Sequence, residues 1–79
     1  MASLHTPREL ELIIKHELSR EREVPADLIV QIFRVGDNWR ADSRFKAGRH
    51  QPPEAYRREV SGRVSEIGAH VARDHRLIG

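Results

Sequence analysis

The stretch Leu28–Lys46, LIVQIFRVGDNWRADSRFK, decides how this chain folds. Its first half, Ile29, Val30, Ile32, Phe33 and Val35, is rich in the β-branched and aromatic residues that suit a pleated surface. Its second half alternates: Trp39, Ala41, Ser43 and Phe45 against Arg40, Asp42, Arg44 and Lys46, the period of a half-buried strand. Between them, Gly36-Asp37-Asn38 supplies turn residues, with Asn38 suited to a left-handed closing position. The stretch reads as an antiparallel hairpin of strands 28–35 and 39–46.

A three-residue turn sets Val35 opposite Trp39, Phe33 opposite Ala41 and Ile29 opposite Phe45, one apolar layer. The opposite face then carries Leu28, Val30 and Ile32 beside Arg40, Asp42, Arg44 and Lys46. In this reading strand one is apolar on both sides, the pattern of a strand inside a sheet. A lone hairpin consists of two edges and is marginal by itself.

Flanking segments supply the helices. Thr6-Pro7-Arg8-Glu9 has the form of a capping box, with proline at the first helical position. Leu10, Ile13, Ile14 and Leu18 follow as one apolar stripe, and Val24 before Pro25 stops the helix, which is expected over 7–22. After a loop at Ala47–Pro53, Tyr56, Val60, Val64, Ile67 and Val71 form the stripe of a second helix over 53–74. Gly68 borders that stripe and permits a close approach of another backbone. Ser61, Ser65, Ala69 and Ala72 run beside it as a row of small residues.

The expected fold is therefore α+β, a single α-β-β-α domain over residues 1–79. Helix axes need about 8–10 Å, whereas paired strands lie about 5 Å apart, so two helices overhang one hairpin. Either each face takes one helix, or two hairpins join edge to edge in a four-stranded sheet. The second, a homodimer, is the expected arrangement. The expected core is Ile13, Ile14, Leu18, Phe33, Trp39, Phe45, Tyr56, Val60, Val64 and Ile67.

Composition bounds the function. The 79 residues contain no cysteine, which removes disulfides and thiolate metal sites and fits a reducing cytoplasm. No apolar run reaches the roughly 18 residues of a membrane span, and the N-terminus has no signal-peptide pattern. The five histidines (His5, His16, His50, His70 and His75) include no i,i+4 pair. They are expected at the surface, with no metal. Ser43, Ser61 and Ser65 lie on regular elements rather than a strained elbow. Asp37 and Asp42 fall near the turn without burial, and no glycine-rich phosphate loop is present. The expectation is a chain with no catalytic residues, cofactor or small-molecule substrate.

Charge points elsewhere. Residues 1–27 carry four basic and six acidic groups, residues 28–58 seven and three, and residues 59–79 three of each. The basic excess comes from Arg34, Arg40, Arg44, Lys46, Arg49, Arg57 and Arg58, a candidate surface for nucleic acid or another acidic partner. Asp42 interrupts the row, and in the expected register Trp39 and Phe45 point inward, leaving no stacking platform. The competing expectation is a protein–protein or oligomerisation interface formed by Leu28, Val30 and Ile32 with Ser61, Ser65 and Ala69.

Overall fold

The computed structural model describes residues 3–46 and 51–78. In chain order these form β1 (Ser3–His5), α1 (Pro7–Ser19), β2 (Leu28–Val35), β3 (Asn38–Phe45), α2 (Glu54–Val71) and β4 (His75–Leu77). The chain is α+β, and two short strands flank the expected α-β-β-α order.

The capping box forms as its residues dictate. Thr6 Oγ1 accepts the Glu9 backbone N–H at 3.2 Å, and Glu9 Oε1 accepts the Thr6 N–H at 2.9 Å. That backbone N–H holds the Glu9 carboxyl below its ordinary pKa. Leu10, Ile14 and Leu18 are fully buried. Helix α1 stops one turn before the expected end, because the Arg20, Glu21 and Arg22 amides turn back onto the Glu17 and Leu18 carbonyls. Helix α2 likewise stops at Val71.

Strand β2 pairs with β3 in a register set by a two-residue turn, Gly36-Asp37. Val35 faces Asn38, Phe33 faces Arg40, Ile32 faces Ala41 and Leu28 faces Phe45. Gly36 adopts φ +60°, and no other residue of the hairpin has positive φ. This is a turn with glycine at its first central position, which matches the right-handed twist of the strands. Asn38 is thus the first residue of β3, not a left-handed turn residue. Its Oδ1 accepts the Trp39 N–H at 2.8 Å.

Shortening the turn by one residue reverses the faces of strand one relative to the three-residue reading, since side chains alternate with period two. Leu28 and Val30 are 2% and 3% exposed, Ile32 packs against the core beside them, and Trp39 and Ala41 complete this inner face. Phe33, expected in the core, is instead 45% exposed on the outer face.

Both helices lie on that inner face. Helix α1 packs over β2 and α2 over β3, and the helices touch each other. Neither expected arrangement, one helix per face or a hairpin completed by a second, is needed to cover the core. Close packing narrows the overhang: a Cβ built on Gly68 falls 2.7 Å from Ala41 Cβ, so α2 rests almost backbone to backbone on β3. Of the expected core, Ile14, Leu18, Trp39, Val60, Val64 and Ile67 are buried, while Ile13, Phe45 and Tyr56 are half-buried at its margin.

Ion pairs lock the seam between the helices. Arg63 binds Glu21 through two bonds, Nε to Oε1 at 2.8 Å and Nη2 to Oε2 at 2.7 Å, and also binds Glu66. Arg22 reaches Glu59 at 2.7 Å. Arg63 lowers the Glu21 pKa by hydrogen bonding, and Glu21 raises that of Arg63 in return.

The remaining overhang, near the hairpin tip, is filled by the two short strands. β1 and β4 pair in parallel, with Ser3 beside His75 and His5 beside Leu77. Trp39 Nε1–H donates to the His75 carbonyl at 2.9 Å, and Arg34 Nη2–H to the Leu77 carbonyl at 3.2 Å. Leu77 packs against the core, whereas Ile78 is half exposed although its N–H bonds the His5 carbonyl. His5 and His75 are half-buried with ring centroids 4.9 Å apart, unlike the expected surface histidines. His16 and His70 are exposed. No helix among the described residues is long and apolar enough to cross a membrane.

Candidate binding face of the hairpin

With both helices on one side, the other side of the hairpin is open. By alternation it carries Ile29, Gln31, Phe33 and Val35 on β2, and Asn38, Arg40, Asp42 and Arg44 on β3. Phe33 and Val35 are 45% and 52% exposed. An apolar row therefore lies beside a charged one.

The charged row is more cationic than its sequence suggests. Asp42 Oδ1 accepts the Ser43 N–H at 2.8 Å and the Ser61 Oγ–H at 3.2 Å. Its carboxylate thus folds over the free edge of β3 toward α2, away from the row. Arg40, Arg44 and Lys46 have no ion pair among the described residues. On and beside the helices the pattern is different: Lys15, Arg58 and Arg63, with Arg20 and Arg22 just past α1, are each matched with a glutamate, while Arg8 and Arg57 have no ion pair among the described residues. Five of these seven cations are thus paired with a glutamate, and none of the three on the outer hairpin is.

The structure disperses the other expected cations. Arg34 sits at the tip with its guanidinium on the Leu77 carbonyl, turned toward the inner side. Arg57 and Arg58 lie in the first turns of α2, where Arg57 Nη1–H donates to Gln51 Oε1 at 3.2 Å and Arg58 pairs with Glu54 at 2.8 Å. They meet Arg44 across a cleft of about 330 Å³ that Ser43, Phe45, Gln51, Glu54 and Ser61 also line. Among the described residues, the Ser43 Oγ and Arg57 Nε that border it are buried without a hydrogen-bond partner. Arg49 lies outside the described residues.

The expected protein interface does not assemble. Leu28, Val30 and Ile32 belong to the core described above, because the shorter turn points them inward. Ser61 is half-buried and bonds Asp42, while Ser65 and Ala69 are exposed on α2. The exposed apolar residues of the hairpin are instead Phe33 and Val35. The signal that identifies them is Gly36, whose place at the start of the turn selects the two-residue loop.

No group of three metal-binding side chains occurs among the described residues. The edges of the hairpin also differ. On β3, Asn38 and Asp42 each cap the next residue's amide with their own side chains, which blunts that edge against another strand. Among the described residues, no such side-chain cap occurs along β2. Compared with known proteins, the chain matches no family model, and neither a curated protein nor a solved structure matches it.

Proposed function

We propose that the chain is a small non-enzymatic binding module of the cytoplasm, whose open hairpin face takes up nucleic acid or a similarly acidic partner by charge. The observation that carries this reading is the run of unpaired cations, Arg40, Arg44 and Lys46, on a chain whose helical cations are mostly neutralised by glutamates. Side chains of this kind contact phosphates and position a nucleic acid without reading its sequence. Binding is then weak, tolerant of sequence and steep in salt.

The test is charge reversal. Arg40→Glu with Arg44→Glu should abolish binding of a labelled oligonucleotide in fluorescence anisotropy at low salt. The melting temperature should change little, since both side chains are exposed. Undiminished binding by the double variant contradicts the reading.

The second reading is self-association through β2, which joins two hairpins into a four-stranded sheet. What favours it is the uncapped edge of β2 next to exposed Phe33 and Val35. A two-fold dimer of this kind places both basic rows on one continuous outer surface, so it is compatible with the first reading. Light scattering checks it: a mass of two chains, insensitive to salt, supports the dimer, and one chain at all concentrations excludes it.

A further inference from the structure

Basic charge alone does not distinguish duplex from single-stranded nucleic acid, but the neighbours of the cations do. Phe33 stands directly opposite Arg40 on the open face, so their Cα atoms are about 5.5 Å apart. Arg44 is four residues further along the same face of β3, about 13 Å from Arg40. On the same face of β2, Phe33 lies between Gln31 and Val35, and Ile29 lies beyond Gln31, opposite Arg44. The only polar side chain in that row is Gln31.

We propose that this face binds single-stranded nucleic acid, with bases laid over Phe33 and the adjacent Val35 and phosphates held along Arg40 and Arg44. The inference rests on the proposed basic-face reading and adds to it the class of nucleic acid. Three features carry it. An aromatic ring half open to solvent on a sheet face offers a stacking surface that any unpaired base can use. The adjacent cations are free of carboxylates, and Asp42 is drawn away by Ser43 and Ser61. In a duplex the base faces are already stacked on one another. With Arg40 and Arg44 engaged by phosphates, the β2 row leaves only Gln31 to read base edges as a major-groove ribbon must.

The layout also fixes a direction. A strand lies along the hairpin axis with its backbone on the β3 side and its bases on the β2 side. Loss of the ring and loss of a cation should therefore act differently. Phe33→Ala lowers affinity for a single strand but leaves its salt dependence unchanged, whereas Arg40→Gln makes that dependence shallower.

The experiment compares a labelled oligothymidylate with its duplex, by anisotropy at several salt concentrations, for the wild-type chain and for Phe33→Ala, Phe33→Leu and Phe33→Trp. Phe33 is exposed and outside the core, and thermal melting of each variant verifies that the fold is kept. The expected result is tighter binding of the single strand by wild type, weakened about 5- to 100-fold in Phe33→Ala. Phe33→Leu should also be weakened, and Phe33→Trp should bind as well as wild type. Equal binding of both forms, unchanged in Phe33→Ala, overturns this inference while the basic-face reading stands. No binding of either form by wild type overturns both. If Phe33→Ala turns a dimer into a monomer and leaves single-strand affinity intact, the face is a self-association surface and the inference fails.

Discussion

Two glycines six residues apart on one helix, about 9 Å along its axis, have opposite physical roles, and substitution separates them. Gly62 and Gly68 both lie within α2, where glycine is about 1 kcal/mol less favourable than alanine. A Cβ on Gly62 meets nothing within 4 Å, so Gly62→Ala should stabilise the chain by about 0.5–1 kcal/mol. A Cβ on Gly68 meets Ala41 Cβ at 2.7 Å, and neither atom belongs to a flexible side chain. Helix and strand must separate, so Gly68→Ala should destabilise by about 1–2 kcal/mol net of its helical gain. Chemical denaturation of the two variants reads both signs. Two stabilised variants contradict the close packing of α2 on β3. The role of Gly68 was legible in the sequence from its position at the edge of the apolar stripe. The inward place of Leu28 was not, because β2 is apolar on both faces and alternation cannot choose between them.

At the scale of elements, local chemistry was readable where it is local. Thr6, Pro7 and Glu9 specify the start of α1 within four residues, and the structure contains the capping box they imply. The hairpin strands were legible for the same reason, but their register depended on whether Asn38 belongs to the turn. One residue more or less reverses β2, and with it the identity of the open face. β1 and β4 carry no readable signal: each has three residues, and their pairing joins the two ends of the chain. Helix α1 is anchored at both ends by carboxylates, Glu9 in the cap and Glu21 on Arg63. Both have pKa values lowered from an ordinary 4.5, so in the unfolded chain they bind protons more readily. Their stabilisation is fully present above pH 4.5 and is lost as pH falls through the lowered folded values. Thermal melts should therefore weaken below pH 4.5, and Glu9→Gln with Glu21→Gln should flatten that dependence. Parallel profiles for variant and wild type contradict the assigned anchors.

On the scale of the whole molecule, the two helices and the inner hairpin face form a closed apolar unit, and its outer hairpin face is left open. The charge split between residues 1–27 and 28–58 was visible in sequence, yet the structure gathers only some of the residues it singled out onto one face. Arg40 and Arg44 share the open face, Arg34 turns to the tip, and Arg57 and Arg58 sit across a cleft from Arg44. The presence of Phe33 among free cations became visible only with the register. In the function proposed, this open face binds nucleic acid through its unpaired cations. The most direct measurement is wild-type affinity for a single-stranded oligonucleotide as salt is raised from about 50 mM. Three phosphate contacts, from Arg40, Arg44 and Lys46, predict that log K falls against log salt with a slope of about −2 per chain. No measurable binding at the lowest salt, or binding with a slope near zero, contradicts it.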